Sequence, residues 1–127
     1  MACAGTSTAG LAFGGAPGAK NETETWNGSA WTETANLNTA RYALAGDGTS
    51  TAALGAGGHN GTAVQALAET WNGTGWTEGV DMSTARVEIQ GAGTTTATVV
   101  FGGSPPVSNA TEEFTSPLEA TVTFANS

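Results

Sequence analysis

Two glutamate pairs recur along the chain, Glu24 with Glu33 and Glu69 with Glu78. Paired carboxylates are the tools of glycoside hydrolysis, one as the acid and the other as base or nucleophile across the scissile bond. An active site is asymmetric, whereas these pairs stand at the same place in two copies of one pattern, so they read as structural. His59 is the single histidine and the natural general base. A Ser-His-Asp relay built on it finds serines and aspartates in the sequence but no pattern that gathers them. Cys3 is the single cysteine, so there is no intrachain disulfide framework, and the thiol reads as an inert small residue. Asp47-Gly48 is a turn with no acidic cluster of the calcium-loop kind. The chain is expected not to be an enzyme and to need neither cofactor nor metal.

Four tryptophans, Trp26, Trp31, Trp71 and Trp76, offer flat faces that stack on the apolar side of a pyranose. Their recurrence at one repeat position points instead to packing of each unit on the next. Arg41 and Arg86 recur likewise, and each is expected to pair with a repeated carboxylate, Glu24 or Glu69, in a structural ion pair. Asn-x-Ser/Thr acceptors stand at Asn21, Asn27, Asn60, Asn72 and Asn109. Two of them lie in a repeated Trp-Asn-Gly turn, where Asn-Gly serves the backbone geometry, so they read as turn chemistry rather than glycosylation.

The elements that must position these residues follow from an internal repeat. Residues 24–58 and 69–103 align without a gap at a spacing of 45: Trp26 with Trp71, Trp31 with Trp76, Thr39-Ala40-Arg41 with Thr84-Ala85-Arg86, and Gly57-Gly58 with Gly102-Gly103. Residues 4–15 precede this as part of another copy, and Ala110 to Phe114 echoes Leu67 to Trp71. The chain is three repeats cut in a circularly shifted frame, about 1–35, 36–80 and 81–127. Each repeat predicts four short strands: Ala40 to Gly48 and Ala85 to Gly93, then Thr51 to Gly55 and Thr96 to Phe101, then Leu67 to Trp71, then Trp76 to Glu78 after the Asn72-Gly73 hairpin signal. Thr121 to Phe124 is expected as the last strand of the third repeat. Helix is excluded by Gly and Thr in every window and by the lack of a 3.6-residue apolar period.

Four-stranded repeats of this length predict the blades of an all-β propeller. The double glycine, the aromatic followed by Trp, and the Thr-Ala-Arg start to the next unit resemble the kelch repeat. Gly57-Gly58, Trp71, Trp76 and Thr84-Ala85-Arg86 carry the resemblance in order, over nearly the whole chain. The Trp-Asn-Gly-x-x-Trp form with Gly/Thr/Ala-rich strands resembles kelch-type domains of bacteriophage tail appendages and environmental microbial surface proteins. The catalytic marks of other propellers do not fit. The Ser-x-Asp-x-Gly-x-Thr-Trp turn of sialidases has no match, and one His, one Tyr and one Cys cannot build the copper centre of kelch-like oxidases. Three blades do not close a ring, since propellers use about 4 to 8. A homodimer with a six-blade ring is therefore expected, with a fragment of a longer single-chain propeller as the alternative.

Composition sets the remaining bounds. Gly, Ala and Thr make up half of the 127 residues, and the net charge is -8. Three scattered cations, Lys20, Arg41 and Arg86, cannot displace counterions from phosphates, which excludes nucleic acid. No apolar run approaches the roughly 20 residues of a bilayer helix, so membrane insertion is not expected. Residues 1–15 lack the basic start of a secretory signal. A virion or extracellular setting is expected, with a host glycan or surface protein as partner, or else a spacer role with no ligand. Loops that vary on a repeated scaffold are where specificity usually lives. The connections at 16–20, 59–65 and 104–108, with 36–38 and 80–83, all belong to one side of the blades. His59, Asn60, Gln65, Asn36, Asn38 and Asp81 are the polar contacts expected there.

Overall fold

The structure, a computed structural model, describes residues 1–94, 97–104, 110–115 and 120–124. The described residues form twelve strands and no helix. The first sheet contains β1 (Ala2–Gly5), β2 (Gly10–Gly15), β3 (Lys20–Trp26) and β4 (Trp31–Glu33). The second contains β5 (Ala45–Gly48), β6 (Ala53–Ala56), β7 (Ala68–Trp71) and β8 (Trp76–Glu78). The third contains β9 (Gln90–Thr94), β10 (Ala97–Phe101), β11 (Thr111–Thr115) and β12 (Ala120–Phe124). Each sheet is an antiparallel meander in chain order, so the sequence repeat is a repeat of whole sheets.

Turn chemistry makes the short strands possible. Gly5 and Gly48 end the first strand of their sheets at φ of 107° and 114°, a region that L-residues avoid. A Cβ there would lie 2.2 Å from the Ala9 carbonyl oxygen or 2.3 Å from that of Ala52. In the Trp-Asn-Gly hairpins the Asn side chain accepts from the two N–H groups ahead of it, Asn27 Oδ1 from Ser29 and Ala30, and Asn72 Oδ1 from Thr74 and Gly75. The indole of Trp26 donates to Ser7 O, and that of Trp71 to Ser50 O, at 3.0 Å in both cases. The first Trp of each pair thus ties the outer hairpin to the inner one.

The core is two interfaces between consecutive sheets. Leu11, Phe13, Leu37 and Leu44 meet Ala53, Trp71 and Trp76 between the first and second. Leu54, Ala56, Ala68, Met82 and Ile89 meet Val100 and Phe114 between the second and third. Burial along the strands follows this layering. All four residues of β6 are buried because both faces of its sheet are covered. In β10 only Thr98 and Val100 are buried, which is the period-two pattern of a sheet covered on one face.

The first strand of a repeat is shorter than expected. It begins at Ala45 and Gln90 rather than at Ala40 and Ala85, because Arg41 to Leu44 and Arg86 to Ile89 serve as inter-sheet connectors instead. Ala43 and Glu88, at matching positions, take φ of 54° and 60°, which no strand continues through. The second strands run Ala53–Ala56 and Ala97–Phe101, and the expected strand at 121–124 is observed within Ala120–Phe124.

Candidate functional site

The connection between β6 and β7 is built on a buried arginine. Arg41 Nη1 donates to Gly57 O at 2.7 Å and to Leu67 O at 2.9 Å, bridging the two ends of the connection. Nη2 donates to Glu69 Oε2 at 2.8 Å, and both side chains are completely buried. Burial pushes the Arg41 guanidinium below its ordinary value, and the charges of Glu69, Glu78 and Asp81 act against that shift. The other oxygen of Glu69 accepts from the Asn38 backbone N–H at 2.7 Å and from Asn38 Nδ2 at 2.9 Å. The carboxylate is thus fully engaged, the condition under which a buried ion pair is tolerated.

The same clamp recurs one repeat on. Arg86 donates to Gly102 O, Ala110 O and Glu112 Oε2, and the Ser83 N–H donates to Glu112 Oε1. The expected partners were Glu24 or Glu69. Arg41 does take Glu69, but Arg86 takes Glu112, and Glu24 is exposed and forms no ion pair among the described residues. The reason is directional: each arginine reaches into the sheet that follows it. Its backbone meanwhile closes the sheet before it. Gly15 N–H donates to Arg41 O and Arg41 N–H to Lys20 O, while Gly58 N–H donates to Arg86 O and Arg86 N–H to Gln65 O. Each arginine is therefore a staple between consecutive sheets.

On this base stands the His59–Gln65 loop. His59 exchanges two backbone hydrogen bonds with Tyr42, each 3.0 Å, and the two rings lie 5.2 Å apart. His59 Nδ1 accepts from the Gly61 N–H at 2.9 Å, which places the proton of the neutral ring on Nε2. In a hydrolytic triad it is Nδ1 that carries the proton and donates it to a carboxylate. Asn60 Oδ1 accepts from Thr62 and Ala63, and Gln65 Nε2 donates to Ala63 O. The His59 Nε2–H, the Asn60 amide nitrogen and the Gln65 side-chain carbonyl make no hydrogen bond among the described residues, leaving two donor groups and one acceptor beside an aromatic ring.

His59, Asn60 and Gln65 are therefore brought together in one loop. Asn36 and Asn38 lie instead on the segment between the first and second sheets, where Asn38 is committed to Glu69 and to Trp76 O, while Asn36 is exposed. Asp81 is exposed at the matching place one repeat later. Of the expected loop at 104–108, Ser104 is described and bonds to Val87, and the rest, with Asn109, lies outside the described residues. Tyr42 is the contact that sequence reasoning missed. It occupies the position of Val87 in the next repeat, so the pattern that exposed the other residues gave it no mark.

The tryptophans divide by position. Trp76 is buried, its ring 4.7 Å from that of Phe13 and its Nε1–H on Thr23 Oγ1. Trp31, at the same place one sheet earlier, is 51% exposed because no described sheet covers that face. Among the described residues no three His, Cys, Asp or Glu side chains gather to hold a metal.

No protein-family model matches the sequence, and no curated protein matches it. Solved structures do. The fold is similar to that of YjhT. The likeness to YjhT has a TM-score of 0.76 at 11% identity, spanning 98% of this chain and 44% of the YjhT chain. It is a likeness of fold, compatible with a propeller-like stacking of β-sheets, and the present chain accounts for less than half the length of YjhT.

Proposed function

We propose that the chain is a non-catalytic recognition and assembly module, three kelch-like blades of a β-propeller displayed on a virion or cell surface, whose loop rim binds a host glycan or surface protein. The observation that carries this reading is the contrast between clamp and loop. The Arg-Glu clamp recurs in the second and third sheets, each arginine donating to two backbone carbonyls and one glutamate, while the sequences that follow the double glycines differ entirely: His59-Asn60-Gly61-Thr62-Ala63 in one copy, Ser104-Pro105-Pro106-Val107-Ser108 in the other. A fixed base under unlike loops is how a scaffold holds specificity. Donors and acceptors beside the Tyr42 ring suit a hydroxyl-rich ligand.

A glycan-array screen with the intact chain tests this directly. Binding should be lost in His59→Ala and Gln65→Ala and kept when the hairpin Asn72-Gly73-Thr74, at the opposite end of the strands, is altered. Asn60→Asp keeps the oxygen that caps Thr62 and Ala63, so its effect separates lost contact from lost loop shape. The reverse pattern would move the site to the hairpin end.

One observation favours a second reading, a spacer without ligand. His59 Nδ1 and Asn60 Oδ1 are both satisfied by the loop's own backbone, as in a self-contained cap. No binding to glycans or host-cell surfaces at any concentration would favour that reading.

A further inference from the structure

The two outer faces of the stack are complementary to one another, and the geometry points to a second copy of this chain as the occupant of both. At each internal junction, the residue before the double glycine of one sheet meets the aromatic position of the next. Phe13 meets the Trp71–Trp76 pair, with its ring against the bare backbone of Gly46 and Gly55. Ala56, the same position one repeat on, meets Phe114 and Val100. Large thus meets the roomy tryptophan face, and small meets the fuller one. The unpaired faces continue this rule. The third sheet ends on Phe101, 42% exposed, and the first sheet opens on the Trp26–Trp31 pair, with Cys3 and Ala12 where the second sheet has Gly46 and Gly55. Cavities of about 410 and 280 Å³ flank Trp31 on that face.

Phe101 of one copy seated on Trp31 of the other, and the reverse, gives two identical junctions about a two-fold axis and leaves neither face bare. Cys3 and Ala12, slightly larger than the glycines they replace, set Phe101 somewhat further out than Phe13. The inference rests on the propeller reading above for ring closure, but not on the loop rim binding anything.

Native mass spectrometry and light scattering of the 127-residue chain test it. The expected species is a closed dimer of twice 12.5 kDa. Phe101→Asp and Trp31→Asp should each reduce it to the single-chain mass, while Val80→Asp, a change at another exposed apolar residue, should leave it intact. Cys3 provides a readout that needs no variant. Its thiol is exposed on the open face and would lie beneath the partner's Phe101, so alkylation should be slow in the dimer and quicken on dilution. A single-chain mass for the unaltered chain, an open-ended ladder of masses, a dimer that survives both substitutions, or fast alkylation of the dimer would each overturn the proposal. A single-chain species that still bound its glycan would overturn this assembly and leave the recognition reading standing.

Discussion

The guanidinium of Arg41 and the carboxylate of Glu69 meet at 2.8 Å across the base of a loop, and neither side chain has any exposed surface. This pair holds three things at once: the two ends of the β6–β7 connection, the lead-in to β5, and, through the Arg41 backbone, the two ends of the β2–β3 connection in the first sheet. Replacing Glu69 by Leu leaves a buried cation without its counter-charge, and should cost about 3–5 kcal/mol in urea unfolding. Arg41→Met should cost at least as much, since Gly57 O and Leu67 O lose their donor too. In the double variant the charges vanish together, so its loss should fall well short of the sum. Additive losses would mean that the pair contributes nothing as a pair.

The second sheet is glycine-lined where Phe13 lands. A Cβ on Gly55 would stand 2.9 Å from Phe13 Cε2. Gly55→Ala should therefore destabilise by about 1–3 kcal/mol through overpacking, and Phe13→Leu in the same chain should recover part of that loss. An Ala at 55 as stable as the parent in thermal unfolding would show that the ring can move aside freely.

Identical tryptophans should respond differently. Trp76→Phe removes the indole donor to the buried Thr23 hydroxyl, at a cost of about 1–3 kcal/mol. Trp31→Phe keeps an aromatic ring on an exposed face and should shift the stability of the dissociated chain by about 0.5 kcal/mol or less. Denaturant midpoints measured at high dilution compare the two.

Asn38 and Asn36 should separate as well. Asn38 Nδ2 bonds both Glu69 and Trp76 O, so Asn38→Ala should cost about 1.5–3 kcal/mol, as hydrogen bonds to charged groups do. Asn36→Ala, at an exposed position, should stay within about 0.5 kcal/mol of the parent.

The repeat made most of the architecture legible, because each unit's hairpins are local and carry their own signals. Asn72-Gly73 marks the β7–β8 turn, and the observed Trp71–Trp76 register follows from it. What the repeat hid was everything that passes between units. Every copy presents the same glutamate to the same arginine, so nothing in the residues tells which copy an arginine reaches. The answer lies in the direction of stacking, which only coordinates reveal. For the same reason Trp31 and Trp76 look equivalent in the sequence, although one is covered by Phe13 of a neighbouring sheet and the other is bare. The tyrosine beside His59 escaped notice because it breaks the repeat rather than following it.

The arginine clamp also partitions the chain into what folding needs and what it does not. Gly57 O and Leu67 O are fixed from below, and Gln65 N–H returns to Gly58 O, so the stretch 60–64 hangs from a closed neck. Doubling the length of a flexible segment held in this way costs only about 0.6 kcal/mol of closure entropy. That neck is a natural grafting point: foreign peptides of varied length and sequence can be displayed there as a library, selected for new targets, and carried by a scaffold that registers little of the exchange.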